Sequence, residues 1–288
     1  GLAPLFVEEK SVGARGVASP PPSMHVPHLG PIVMPTSPKQ SKCERVNRRF
    51  TEGVLEAVGV DARTLLFVLC SPEYEDPRPY HWADQSVDVS FTFRLEVGES
   101  SPDELLKSFS RSRRREIRDA RDLDVGVEVG TVEDARRIFE QTEARFSEQN
   151  EYFGLTWPFV RDLVTELGDR ARIYVARGPD DEFLSGIVSQ YSNDTASFWL
   201  GGVRSTYDDV SMNTLLHWEI LKDLAEDPAL DSVTTYDMVG AGEERLSKYK
   251  AKFGPTLEPY YVVESGGAFM SLAKWTYSGV EFVRSRLS

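Results

Sequence analysis

Arg172–Gly178 (RIYVARG), Phe183–Tyr191 (FLSGIVSQY) and Thr195–Val203 (TASFWLGGV) are three apolar runs rich in β-branched and aromatic residues. Pro179-Asp180-Asp181-Glu182 separates the first two, and Ser192-Asn193-Asp194 the last two. Links this short join neighbours, so the three runs predict an antiparallel meander. Upstream, Val125–Val129 reads as a strand. Thr131-Val132-Glu133-Asp134 then caps a helix to about Phe146, and 158–167 reads as a second helix. Downstream, Leu215, Leu216, Ile220 and Leu224 recur at helical spacing over 212–225. Ser232–Met238 then reads as a strand, Glu243–Lys252 as a helix and Leu257–Glu264 as a strand.

Four short motifs fall on this frame. They are Arg114-Arg115-Glu116-Ile117-Arg118-Asp119-Ala120 followed by Gly126-Val127, Asn213-Thr214-Leu215-Leu216-His217-Trp218, Tyr236-Asp237-Met238-Val239-Gly240, and Tyr249-Lys250-Ala251-Lys252-Phe253-Gly254. Gly30-Pro31 adds a fifth, in the first part of the chain. Together with the element order they resemble the Fem-like aminoacyltransferases, which carry two GNAT-type acyltransferase folds in tandem. The implied fold class is mixed α+β, with tandem GNAT-like units built on central, mostly antiparallel sheets flanked by helices. The expected division is an incomplete GNAT-like unit over 1–100, an Arg-rich connecting helix over 101–123, a GNAT-like unit over 124–267 and an amphipathic helix over 268–288. Gly1-Leu2-Ala3-Pro4-Leu5-Phe6-Val7 reads as the inside of a strand, which leads us to expect a segment before it.

The resemblance implies transfer of an acyl or aminoacyl group to an amine of a cell-envelope precursor or amino sugar. The donor would be aminoacyl-tRNA or an acyl-CoA. Two features weigh against ordinary CoA use. No R/Q-x-x-G-x-G/A loop lies between Trp199 and Leu215, and Asp208 and Asp209 precede the helix whose N-terminus would meet a pyrophosphate. Two other readings stay open, an acyl-CoA-dependent N-acetyltransferase of a small amine and a non-catalytic module that binds a nucleotide-linked ligand or RNA.

Acyl transfer needs donors for the developing oxyanion, a base for the amine and oriented reactants. Gly201 and Gly202 end the third meander strand, as a bulge offering backbone N–H groups to the acyl carbonyl or as a plain turn. Ser211, the expected N-cap of the following helix, and Asn213, which begins its motif, are expected to bind substrate. Asp237 either positions or deprotonates the amine, or closes an Asx turn. Lys250 either meets a phosphate or the oxyanion, or is an ordinary charged helix end. Tyr236 and Tyr249 accompany these two and are expected to contact substrate.

Ser101-Pro102-Asp103-Glu104 is a capping box that predicts one helix to about Leu123, with Leu106, Phe109, Ile117 and Ala120 as its apolar stripe. Arg111, Arg113, Arg114, Arg115, Arg118 and Arg121 crowd it. Arg114 and Arg118 share a face and could grip phosphate bidentately, as on tRNA or a nucleotide-linked amine; a solvated face is the plainer reading.

Composition narrows the field. The chain has 288 residues and a formal net charge of −13, with 24 Arg and 9 Lys. That balance argues against broad charge-driven nucleic-acid binding, leaves room for a local basic patch, and fits a salt-tolerant, halophilic surface. No apolar run is long enough to span a membrane, and no signal-peptide pattern opens the chain. Two cysteines exclude a disulfide framework, and four scattered histidines give no reason to expect a metal. A cytoplasmic setting is the expectation. Asp76–Trp82 reads as a rigid surface loop, and the terminal helix, with Trp275 and Phe282, either packs on the protein or touches a membrane surface.

Overall fold

The computed structural model describes residues 1–9, 15–21 and 24–266. The helix expected over 268–288 lies outside them. In chain order the elements are β1 (Phe6–Glu9), β2 (Arg15–Ser19), α1 (Gln40–Ala57), β3 (Thr64–Leu69), α2 (Arg78–Trp82), β4 (Ser86–Glu96), α3 (Pro102–Ser108), α4 (Arg111–Arg121), β5 (Gly126–Val129), α5 (Val132–Glu148), α6 (Trp157–Leu167), β6 (Ala171–Arg177), β7 (Phe183–Tyr191), β8 (Thr195–Gly201), β9 (Thr206–Tyr207), β10 (Val210–Ser211), α7 (Met212–Glu226), β11 (Thr235–Asp237), α8 (Glu244–Lys250) and β12 (Thr256–Glu264).

Among the described residues two compact units emerge, one from Gly1–Phe91 together with residues 258–266, the other Thr92–Leu257. In the first, β1 pairs antiparallel with β2, β2 parallel with β3, and β3 antiparallel with β12. Alternate residues of β3 face inward, so Leu66 and Val68 join Val17, Cys70, Tyr80 and Val263 in one core. Ser265 fixes the register at the strand end. Its hydroxyl donates to the Thr64 carbonyl at 2.7 Å and accepts from the Leu66 amide at 2.6 Å. Residues 76–82 are not a loop. Pro79 near the start and the Asp76 carboxylate, accepting from the Arg78 amide at 3.2 Å, open the short helix α2, which buries Tyr80. β12 was expected to close the other unit; its pairing with β3 places it here.

The second unit carries the meander as expected. β6 and β7 pair antiparallel, as do β7 and β8, while β5 adds antiparallel to β6. β11 then pairs parallel with β8 and antiparallel with the last residues of β4. Strand alternation sends Ile173 and Val175 to one face, under α5 and α6, and Tyr174 and Ala176 to the other, under α7. α7 is buried nearly all round, with Leu216, Trp218, Ile220 and Leu221 at or below 1% exposure.

One helix was expected over 101–123, and two are found. The capping box starts α3, with the Ser101 amide donating to Glu104 at 2.9 Å. Phe109 then turns extended (ψ 150°) and Ser110 caps α4, accepting from the Arg113 amide at 3.4 Å. Burial drives the break. Phe109 packs edge-on against Trp218 and Phe253, and the Ser110 amide is taken by the Lys252 carbonyl at 2.8 Å.

Candidate active site

β8 and β11 run together only for three pairs, Thr195 with Thr235, Ala196 with Tyr236 and Ser197 with Asp237. β11 ends there, while β8 continues to Gly201. Phe198–Gly201 therefore presents an edge that β11 does not cover. The β7–β8 register shifts between Val188 and Ser189, leaving Trp199 as the bulged residue. Gly201 (φ +104°) and Gly202 (φ +67°) then swing the chain away. Only glycine fits at Gly201, since a Cβ there would lie 2.3 Å from the Gly186 carbonyl oxygen.

These glycines do not both offer free amides. The Gly202 N–H donates to the Gly186 oxygen at 2.9 Å. Its carbonyl accepts from the Asn213 amide Nδ2 at 2.5 Å, and Asn213 Oδ1 accepts from Ser185 at 3.3 Å. Asn213 thus ties the strand end to α7. Ser211 is the N-cap by backbone conformation, but its side chain makes no capping bond. The Met212 amide instead donates to the Ser205 carbonyl at 3.0 Å. Between strand and helix stands a two-residue hairpin, β9–β10, whose tip is Asp208 (φ +46°) and Asp209 (φ +62°), the twin left-handed pattern of a type I′ turn.

Past β11 the chain turns through two left-handed residues, Val239 (φ +56°) and Gly240 (φ +57°). Asp237 organises that turn. Buried to 2% exposure, its Oδ1 accepts from Thr92 Oγ1 at 2.5 Å and from the Val239 amide at 2.7 Å. The Asx-turn geometry of the sequence reading is present. Lys250, on α8, holds the same turn from outside. Its Nζ donates to the carbonyls of Val239 and of Gly240, the latter at 3.0 Å. Burial pushes this ammonium down to about 8, with Asp237 and Glu243 partly opposing the fall.

An acetyltransferase (GNAT) domain family model matches residues 107–251, just over half of the chain. The chain belongs to this GNAT family. The match takes in α4, the meander, α7, β11 and Lys250. No curated protein matches the chain. Among solved structures, FemX covers 89% of this chain and 83% of its own at 10% identity, with a TM-score of 0.62. L-PGS from Bacillus licheniformis gives 90%, 83%, 12% and 0.53, and the C-terminal domain (DUF2156) of a protein from Agrobacterium fabrum gives 94%, 88%, 14% and 0.56. At such identities the likeness is one of fold.

Beneath the GNAT strand edge lies a polar cluster that sequence reasoning missed. Tyr236, expected to contact substrate, is fully buried. Its hydroxyl bonds His217 Nδ1 at 2.9 Å, and burial holds its pKa well above the phenol range. His217 sits among the rings of Phe198, Tyr249 and Phe253. Burial, aided by the charges of Lys250 and Arg113, drops its pKa to about 3 and keeps it neutral. Arg113 is 5% exposed, donates to Thr214 Oγ1 at 2.8 Å, pairs with Glu116, and lies 4.2 Å over the Tyr249 ring. Tyr249 is thereby a packing surface for a cation. The clue was spacing, since Arg113 falls on the stripe Phe109–Ile117–Ala120. Arg114 and Arg118 point the other way. Both are exposed, and among the described residues neither makes an ion pair. Among the described residues no group of His, Cys, Asp and Glu could hold a metal ion, and no helix is long and apolar enough to cross a membrane.

His217 sets an acid limit. Below pH 6.5 the unfolded chain takes up a proton at this histidine that the folded chain refuses down to about pH 3. Stability is therefore expected to fall with pH through that window, by up to about 1.4 kcal/mol per pH unit for one proton. His217→Gln keeps a partner for Tyr236 and should flatten this limb in urea unfolding. An equally steep limb in the variant would remove His217 from the account.

Proposed function

We propose that this GNAT protein transfers an acyl or aminoacyl group to an amine. The observation that carries the reading is the uncovered edge of β8 opposite the turn that Lys250 pins. Hydrogen bonds alternate along an antiparallel ladder, so with Gly202 bonded to Gly186, the Gly201 amide belongs to the side away from β7. That side is the one β11 has left. A donor carbonyl there would find a backbone N–H, and the Lys250 ammonium, held on the turn after β11, is the positive charge we assign to the tetrahedral oxyanion. The amine nitrogen bonds to the carbonyl carbon, the bond to the carrier oxygen or sulfur breaks, and the amine's proton passes to that leaving atom. Asp237 acts as a positioning residue, because its carboxylate is engaged by Thr92 and Val239.

The donor we favour is aminoacyl-tRNA. Where a pyrophosphate cradle would stand, this chain has a hairpin tipped by two exposed aspartates, and the first amide of α7 is already bonded. The exposed face of α4, with Arg111, Arg114, Arg118 and Arg121, supplies the local positive charge an acidic protein needs to hold RNA. The Fem-like motifs support an amino-sugar or cell-envelope amine as acceptor. The alternative is a silent module that binds RNA or a nucleotide-linked ligand through the same face.

The test offers labelled aminoacyl-tRNA and acetyl-CoA separately, with a panel of amines including amino sugars. Amine-dependent transfer from aminoacyl-tRNA, weakened in Arg114→Ala/Arg118→Ala, is expected. Transfer from acetyl-CoA would replace the donor assignment. No transfer from either, with RNA binding that the double variant abolishes, would establish the silent module instead.

A further inference from the structure

Just past the glycines, the chain forms one wall of a second feature. Val203 and Arg204, the carboxyl-terminal half of α5 and Arg245 of α8 enclose a cleft of about 400 Å³. Three arginines, Arg145, Arg204 and Arg245, line it with one acidic residue, Glu148. Arg245 also leans on Glu243 at 3.1 Å. Among the described residues, Arg145 and Arg204 make neither a side-chain hydrogen bond nor an ion pair. Such convergence is unexpected on a chain with a net charge of −13, where self-repulsion of like charges is easily avoided by pairing. Gln141, one turn before Arg145 on α5, and Gln149, which caps the helix end, add amide donors. The end of α5 contributes a partial negative charge, which Arg145 in its last turn offsets.

The geometry points to a phosphate-binding site in this cleft, taking the phosphate of a soluble phosphomonoester or of a lipid headgroup. Planar guanidinium forks bind phosphate bidentately, and two unpaired forks with a third beside them match a dianion better than a single carboxylate. The site is separate from the exposed arginines of α4, and phosphate binding stands or falls without the transfer reading.

Calorimetric titration with inorganic phosphate, a nucleoside monophosphate and vesicles of phosphatidylcholine with or without phosphatidylglycerol tests it. Saturable binding of a free phosphate species is expected, weakened about tenfold or more in Arg145→Gln/Arg204→Gln. It should be unchanged in Arg114→Ala/Arg118→Ala. Binding confined to the phosphatidylglycerol vesicles, and lost in the cleft variant, would assign the same site to a lipid headgroup. The positions are exposed or half-buried, so the variants should fold, which circular dichroism checks. No saturable binding up to millimolar concentrations, or binding that the cleft variant leaves intact, would overturn the proposal.

Discussion

Lys250→Met is expected to lower turnover by about 10²–10³-fold, the usual cost of removing one oxyanion donor. The substitution keeps the aliphatic stem, so far-ultraviolet circular dichroism should not change. A second readout separates the ammonium from mere packing. Folding shifts this lysine from 10.5 to about 8, so over that interval the unfolded chain binds the extra proton. Wild-type stability should therefore rise with pH from about 8 to 10.5, and below pH 8 the chain carries the full cost of burying the charge. The methionine variant lacks that rise, so its stability relative to wild type should be greatest below pH 8 and decline above it. Unchanged turnover would remove Lys250 from the chemistry, whatever the stability curves show.

Gly201→Ala is expected to cost roughly 3 kcal/mol or more of stability, since the residue must hold φ +104° and its Cβ would press on backbone as well as on Ile138. Gly240→Ala provides the contrast. Its φ is also positive, at +57°, but a Cβ there meets nothing within 4 Å, so about 1 kcal/mol is expected. Urea midpoints of the two variants decide the matter. Equal losses would mean that backbone strain alone, and not the close approach of β7 to β8, makes Gly201 necessary.

Most elements of the second unit were legible because their signals are local. Turn residues at 179–182 and 192–194, a capping box at 101–104 and helical spacing over 212–225 each act within a few residues. What failed was set by distant partners. The break at Phe109 depends on Trp218 and Phe253, and the place of β12 depends on β3. The site follows the same division. Gly201 and Lys250 were visible as residue types with a job at the end of a strand and a helix. Tyr236 was assigned to substrate because a motif names a residue without saying which way it faces; strand alternation turns it into the interior, while Tyr249 stays half-buried under Arg113. His217 and Thr214 were passed over, since a helix buried on every side gives no polar face to read.

The pairing of β12 with β3 makes the polypeptide nested. Thr92–Leu257 is an uninterrupted stretch, whereas the sheet of the other unit needs strands from both sides of it. During synthesis the inner stretch can close around its own core while the outer sheet still lacks β12. Leu66 and Val68, made early, must wait almost two hundred residues for Ser265 and Val263. The sheet of β1, β2 and β3 can thus be completed only after Thr92–Leu257 has been made, and until then its β3 edge is open to wrong partners.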